Sequence, residues 1–172
     1  MDDKLAPAKR RKQKLPSGVV VAWDQTFNEV NLYVPTSAAV PTKRVQVRIA
    51  SDAATVVVAS GVGKEVLLDA LKFYARVVSD ESVWTRDTET GEVHCQFAKV
   101  KRGEPWKSCF LTTEDKGEDE DEGEEEEDRM RMMRERLTRE NPGFDFTEAT
   151  FEGSVGGVTP DASEWNLGGR NR

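Results

Sequence analysis

The sequence predicts an all-β fold: an antiparallel β-sandwich of seven to eight strands, with a C-terminal helix and flexible tails. Three observations support this prediction. Apolar and polar residues alternate with period two in several short segments between residues 19 and 112. Turn residues separate these segments at short intervals, without a clear helical pattern between them. Beyond residue 113 the composition changes to a long acidic stretch, followed by a helical pattern.

The first element, residues 1–18, is a basic arm that we expect to be disordered. It contains a basic run from Lys9 to Lys14 and two prolines. Such a run is typical of a solvated tail, and also of a nuclear-import signal or a patch for phosphate or acidic partners. The last two roles remain open at this point.

The second element, residues 19–112, carries the strands. Alternation is clearest in residues 30–34 and 45–49, where one face of each strand would lie on a core. Further strands are predicted over residues 55–59, 65–71, 73–78, 82–86, 93–101 and 106–111, with a hairpin connection at 88–91. Residues 67–75 also fit a short helix, because apolar side chains recur there at spacings of four and three. The surrounding strands favour the strand.

The third element, residues 113–128, is predicted to be an acidic disordered tract. Of the 15 residues from Glu114 to Asp128, 12 are acidic, and like charges repel without apolar residues to bury. The chain carries −7 in total. With these residues set aside, 24 basic and 20 acidic residues leave the rest at +4, so the acidity is local.

The fourth element, residues 129–140, is predicted to be a helix that ends before Pro142. Its acidic approach and basic end complement the helix dipole. Met130, Met133 and Leu137 would share one face, which predicts packing on the domain itself or on a partner helix. Residues 141–172 form the C-terminal tail.

Composition indicates a cytoplasmic protein and leaves nuclear entry open. The absence of an apolar run of roughly 18 or more residues predicts no transmembrane helix and no membrane partner. The N-terminus lacks the apolar segment of a signal peptide. Cys95 and Cys109 fall in predicted strands, where we expect buried thiols in a reducing compartment.

The sequence contains no recognisable motif for catalysis or for cofactor binding. The segment 61–64 fails as a phosphate loop, because Val58 and Glu65 stand where glycine and Ser or Thr are required. His94, predicted at the surface or at a sheet edge, lacks the spacing to Cys109 of a metal site. We therefore predict no enzymatic activity, catalytic residue, metal, cofactor or small-molecule substrate, and no nucleic-acid partner.

Several segments, taken in order, carry a family resemblance. Residues 23–30 read Trp-Asp-Gln-Thr-x-x-Glu-Val, residues 81–84 read Glu-Ser-Val-Trp, and residues 104–108 read Glu-Pro-Trp-Lys-Ser. They resemble the CS domain of NudC-type proteins. Residues 140–146, Glu-Asn-Pro-Gly-Phe-Asp-Phe, are similar to the C-terminus of NudC domain-containing proteins, where this segment also follows a helix. The resemblance covers roughly residues 19–151, and the acidic insertion and the basic arm depart from the family.

This resemblance implies a compact β-sandwich that acts as a non-catalytic, ATP-independent chaperone or co-chaperone for unfolded or client proteins. It also implies heat-shock protein 90 and the dynein-regulator pathway as partners. Trp23, Gly63, Trp84 and Trp106 are the signature positions that it carries over, and we interpret them as mostly structural.

Two groups of residues are predicted to make contacts. The basic strip Lys99, Lys101 and Arg102, beside Trp106, is a dense positive cluster, and we predict that it binds partners. The C-terminal docking residues are Phe144, Phe146 and Phe151, because a solvated tail avoids aromatic rings that do not dock. We hypothesise that the first two insert into a groove of the sandwich or of a second subunit, which leaves a homodimer open.

The runner-up function belongs to another class. The tract from Glu114 to Asp128 would bind basic proteins such as histones by its negative charge. This interaction module would lose its partner on deletion of the tract, and its binding would weaken steeply with salt.

Overall fold

The computed structural model has the predicted all-β sandwich followed by one helix, and it describes residues 9–60, 62–112 and 121–146. Eight strands form two antiparallel sheets. The strands are β1 (Arg11–Lys14), β2 (Val20–Gln25), β3 (Glu29–Val34), β4 (Val45–Ile49), β5 (Ala53–Ser60), β6 (Gly63–Lys72), β7 (Val77–Arg86) and β8 (Val93–Lys99). A short 3-10 turn, Thr42–Arg44, precedes β4, and helix α1 spans Asp121–Glu140.

The two sheets face each other across one hydrophobic core. The larger sheet has the order β1-β2-β3-β8-β7 and the smaller one β4-β5-β6. Alternate residues point inward, as the fully buried Val30, Leu32 and Val34 of β3 illustrate. The largest buried side chains of this core are Trp23, Trp106, Phe97 and Phe110. Trp23 and Trp106 are each only 1 % exposed, which supports the structural interpretation of these two signature positions.

Several predicted strands have different bounds in the structure. Residues 63–72 form β6, so the helical alternative for residues 67–75 is wrong over the strand. The segments 73–78 and 82–86 largely merge into β7, whose pairing with β8 shifts register between Val78 and Val83. Residues 106–111 do not form a strand, and only the bridge between Phe73 and Phe110 remains there.

The predicted disordered arm is wrong for residues 11–14, which pair with β2 as the edge strand β1. Arg11 and Gln13 are buried, and Lys12 and Lys14 are exposed, so the arm does alternate with period two. Its inward side chains are polar and bond to residues 107–110: Arg11 Nη2 donates to the Lys107 carbonyl at 2.9 Å, and the Gln13 amide donates to the Phe110 carbonyl at 2.9 Å and accepts from its N–H at 3.2 Å. Residues 1–8 lie outside the described residues.

Helix α1 starts earlier than predicted. Residues 121–128 belong to its first turns rather than to a disordered tract, whereas residues 113–120 lie outside the described residues. Acidic side chains near a helix N-terminus interact favourably with the helix dipole, which offsets part of their mutual repulsion. A contact with the sandwich, described below, adds to this stabilisation.

The predicted methionine stripe does not make the contact between α1 and the sandwich. The helix faces the sandwich with Asp128, Met132 and Glu135. Because successive helical residues rotate by about 100°, Met130 and Leu137 lie on the opposite side of α1. Packing on a partner helix remains a prediction for the stripe. In the described part of the chain, no helix has both the length and the apolar character that crossing a membrane requires.

Candidate functional site

The contact between α1 and the sandwich centres on one buried carboxylate, Asp128, which is 4 % exposed. Its Oδ1 accepts from Arg131 Nη2 of the same helix at 2.6 Å. Its Oδ2 accepts from Gln25 Nε2 of β2 at 2.9 Å and lies 3.7 Å from Nη1 of Arg11 in β1. Asp128 therefore links the helix to the edge strand β1 of the larger sheet and to its neighbour β2.

Gln25, fully buried at the end of β2, organises the other side of this contact. Its Nε2 donates to the Trp106 carbonyl at 2.9 Å, and its Oε1 accepts from the Trp106 N–H at 2.8 Å. The backbone carbonyl of Gln25 accepts from Arg131 Nη2 at 2.5 Å. We refer to Arg11, Gln25, Lys99, Asp128 and Arg131 as the helix joint.

Lys99 completes the helix joint from β8 and is only 2 % exposed. Its Nζ donates to Gln25 Oε1 at 3.1 Å and to the carbonyls of Thr26 and Glu104, each at 2.9 Å. Burial lowers the pKa of Lys99 to about 8, although the carboxylate of Asp128 raises it. Desolvation disfavours the ammonium form more than the nearby carboxylates favour it.

The predicted basic strip therefore has both buried and exposed members. Lys99 and Trp106 are buried beneath α1, so the expectation that Lys99 lies on a binding surface is wrong. The alternation of β8 turns Lys99 inward with Cys95 and Phe97, which the charge pattern alone does not reveal. Lys101 and Arg102 are exposed, and their role in partner binding remains a prediction.

The pKa of Lys99 gives the helix joint a measurable pH dependence. The side chain of Lys99 has a pKa of about 10.4 in the unfolded chain and of about 8 in the folded protein. Between these pH values the unfolded state binds more protons than the folded state, so Lys99 makes the free energy of unfolding rise with increasing pH. We expect Lys99→Met to abolish this rise, which amounts to at most about 3 kcal/mol. Urea unfolding across pH 7–10.5 measures it.

The matched control for this pH experiment is Lys101→Met, because Lys101 is an exposed lysine two residues away. It should retain the wild-type pH dependence. Burial raises the pKa of Cys95 to about 12 and that of Tyr33 to about 12, which opposes the rise. Both groups remain in all three proteins, so their effect cancels in the comparison. Parallel curves for wild type and Lys99→Met would contradict the prediction.

The C-terminal docking residues are only partly described. Phe144 is 70 % exposed, and its ring lies 6.2 Å from that of Phe146. Phe144 thus does not insert into a groove of its own sandwich. Docking onto a second subunit remains a prediction, and Phe151 lies outside the described residues.

A second polar cluster lies on the outer face of the larger sheet. Asp24 accepts from Asn31 Nδ2 at 2.8 Å and from the Tyr33 hydroxyl at 3.0 Å. His94 Nε2 and Asn31 Oδ1 are 3.1 Å apart, and because this oxygen can only accept, the histidine nitrogen donates. The rings of Tyr33 and His94 stack at 4.7 Å. We name Asp24, Asn31, Tyr33 and His94 the outer cluster.

The arm that precedes β1 covers part of the outer cluster. The Arg10 guanidinium lies 3.5 Å from the centre of the Tyr33 ring and pairs with Glu92 at 3.2 Å. Burial, with the nearby Asp24 carboxylate, raises the pKa of Tyr33 to about 12, and burial lowers the pKa of His94 below its usual value. At neutral pH the cluster therefore presents two neutral, partly exposed rings beside a buried carboxylate and a buried amide.

The outer cluster carries no motif that the sequence alone reveals. His94 does lie partly exposed on the surface of the sheet, as one of the two alternatives predicts, but not at an edge, because β8 is an inner strand between β3 and β7. The available signal is the polar outward positions of β3 and β8, together with Asp24 of β2. It became a cluster only through the register that sets Ala22, Tyr33, His94 and Thr85 in one row.

The described residues offer little for covalent or metal chemistry. Within residues 9–60, 62–112 and 121–146, no group of three or more His, Cys, Asp or Glu side chains is placed to hold a metal. Cys95 and Cys109 are both buried and free, as expected, and burial raises both pKa values. Both thiols therefore remain protonated at neutral pH, which makes them poor nucleophiles.

Comparison with known proteins agrees with this architecture. Residues 19–99 match the family model of the CS domain. NudC domain-containing protein 2 from Mus musculus and from Homo sapiens are each 26 % identical to the chain over 159 residues, which cover 92 % of this chain and 96 % of theirs. The solution structure of the CS domain of the human KIAA1068 protein superimposes with a TM-score of 0.50 at 18 % identity. That match covers 65 % of this chain and 82 % of the other, and it supports the fold.

Proposed function

We propose, from the CS domain that residues 19–99 form, that the chain is a non-catalytic, ATP-independent chaperone or co-chaperone that binds unfolded or client proteins. CS domains are in general protein-interaction modules. The observation that carries the proposal is the outer cluster, because it gives this CS domain an ordered surface that solvent and partners can reach. The similarity to NudC domain-containing protein 2 extends over nearly the whole of both chains and supports the same class of function.

The outer face of the larger sheet has the composition of a protein-binding surface. Around the stacked rings of Tyr33 and His94 lie two exposed valines, Val20 at 48 % and Val83 at 51 %. Aromatic rings with a polar edge and exposed aliphatic side chains are enriched where proteins bind each other. We infer that clients contact this face, with heat-shock protein 90 and components of the dynein-regulator pathway as further proposed partners.

The proposal predicts that the full chain suppresses thermal aggregation of citrate synthase without ATP, and that Val83→Glu weakens this suppression several-fold. The added carboxylate would stand beside Gln96 on the outer face and disfavour contact with apolar client segments. Light scattering at equal molar ratios measures the effect. Val62→Glu is the matched control, because Val62 is fully exposed in the turn before β6, at the edge of the smaller sheet.

Absence of suppression by the wild-type chain, together with no binding to heat-shock protein 90 or to a β-propeller client, would count against the function. Equal loss in the Val83→Glu and Val62→Glu variants would instead reject the outer face as the client surface. The acidic-tract hypothesis remains a separate prediction, since residues 113–120 lie outside the described residues. Asp128, at the end of that tract, is committed to the helix joint.

A further inference from the structure

The outer face of the smaller sheet carries positive charge beside apolar side chains. Strands β5 and β6 direct Val56, Val58 and Leu68 into the core, so the alternate positions face outward. The outward residues of the three strands, which we name the basic face, are Gln46, Arg48, Thr55, Val57, Ala59, Lys64 and Val66.

The cations of the basic face have no partners in the described part of the chain. Arg48 on β4 and Lys64 on β6 are both exposed, and the turn before β4 adds the exposed Lys43 and Arg44. Within residues 9–60, 62–112 and 121–146, the side chains of these four form no ion pair or hydrogen bond. Cations elsewhere in the fold do pair with carboxylates: Arg10 with Glu92, Arg131 with Asp128 and Lys72 with Asp52.

One carboxylate faces outward near the basic face: Asp69, level with Thr55, is exposed and pairs with neither Arg48 nor Lys64. Glu65 stands opposite the buried Val58, so it belongs to the inward register of β6. Asp69 lies five residues beyond Lys64 along the same strand. The net charge of −7 comes from the tract Glu114 to Asp128, and the rest of the chain carries +4; among the described residues of the basic face and of the turn before β4, four unpaired cations stand against one outward carboxylate. A negatively charged partner would therefore be attracted to this face and repelled by the acidic parts of the chain.

Apolar side chains separate the two sides of the basic face. Val57 of β5 pairs with Val66 of β6, and Val66 is 45 % exposed. Arg48 and Lys64 lie two strand spacings, or roughly 10 Å, apart across the sheet, and four residues, or roughly 13 Å, apart along it, because Arg48 pairs with Thr55 and Lys64 with Ala59. An extended segment that carries several carboxylates with small apolar residues between them matches this arrangement. A polyphosphate backbone would match the charges but not the apolar strip.

The acidic segment that follows Thr112 is too short to reach Lys64 of the basic face and return to α1. The Leu111 N–H donates to the Lys72 carbonyl at 2.8 Å, so this segment departs from the C-terminal end of β6. Lys64 lies eight residues away along β6, or about 25 Å. The eight residues 113–120 span at most about 29 Å, and they must return to α1, which contacts the larger sheet.

We propose that the basic face binds an extended acidic segment of a partner protein. Carboxylates of this segment would pair with Arg48 and Lys64, and an apolar side chain would lie over Val57 and Val66. The inference goes beyond the chaperone proposal and stands without it, because the basic face and the outer cluster belong to different sheets.

The probe for this site is a fluorescein-labelled 12-residue peptide with a Glu-Glu-Val repeat, titrated with the full chain and followed by fluorescence anisotropy. We expect Arg48→Glu/Lys64→Glu to weaken binding about tenfold or more, since two attractive contacts become repulsive. Wild-type binding should also weaken as salt rises from 50 to 200 mM. Melting curves establish that both variants remain folded.

The matched control is Lys12→Glu/Lys14→Glu, the same charge change at exposed lysines of β1 on the larger sheet. It should bind the peptide as wild type does. Equal weakening by both double variants would overturn the proposal in favour of a net-charge effect. Failure of the wild type to bind the peptide would also overturn it.

If the wild type then bound phosphatidylserine vesicles through Arg48 and Lys64, the face would recognise a membrane surface instead. A wild-type chain that self-associates through this face would replace the partner protein with a second copy.

Discussion

Asp128→Ala is expected to lower the free energy of unfolding by about 3 kcal/mol and to release α1 from the sandwich. The substitution removes the carboxylate beside Arg11, which is 4 % exposed and cannot turn to water without opening β1. It also removes one of the two acceptors of Gln25 Nε2. Breaking a buried charge pair from one side is costly mainly because the remaining charge stays buried. Urea unfolding measures the loss of stability, and trypsin cleavage at the arginines of α1 measures the release.

Glu127→Ala is the matched control for the helix joint. It removes the same charge one residue earlier, from an exposed position of the same helix. Because surface charges contribute little, we expect a change within about 0.5 kcal/mol and unaltered cleavage. Similar effects of the two substitutions would show that the acidic charge of α1, and not the contact of Asp128, stabilises the fold. Loss of stability without faster cleavage would mean that Met132 and Glu135 suffice to hold the helix.

The strands of the sandwich could be predicted from sequence because their inward residues are apolar. β3 and β8 alternate clearly, and their register follows once one face is buried. The antiparallel fold class and the hairpin at residues 88–91 rest on the same local signals, with Asp87 and Glu92 closing the hairpin by a backbone hydrogen bond of 2.9 Å. Local pattern therefore determines most of the sandwich.

The helix joint could not be predicted, because its inward residues are polar. Arg11, Gln25 and Lys99 look like solvated side chains in the sequence. Their polar contacts reach across the fold, over 74 residues from Lys99 to Gln25 and over 103 residues from Gln25 to Asp128. Asp128 likewise looks like one more member of an acidic tract. A buried polar residue carries no local signature of its partner, so only the tertiary fold identifies the pair. For the same reason, the outer cluster could be identified only once the strand pairing of β2, β3 and β8 was known, because that pairing brings its side chains together.

Gly91→Ala is expected to destabilise the fold by about 3 kcal/mol or more, because two separate costs add. Gly91 has φ +81°, a left-handed conformation that costs a residue with a Cβ about 1–2 kcal/mol. The new Cβ would also lie 2.4 Å from the Thr36 carbonyl oxygen and 2.6 Å from the Ala38 nitrogen, which are backbone atoms. Overpacking against backbone costs a further 1–3 kcal/mol, roughly. The free energy of unfolding in urea measures the sum.

Gly18→Ala separates the two costs in this prediction. Gly18 has nearly the same conformation, φ +85°, but a Cβ there meets nothing within 4 Å, so only the backbone term of about 1–2 kcal/mol should appear. The difference between the variants is the cost of the clash with residues 36–38.

Because Arg86 also bonds to this connection, at the Ser37 carbonyl, Gly91→Ala should displace the segment that leads to Lys43 and Arg44. It should therefore weaken binding of the acidic peptide, whereas Gly18→Ala should not. Equal destabilisation by both variants would show that the connection yields to the new methyl group and is not rigidly packed.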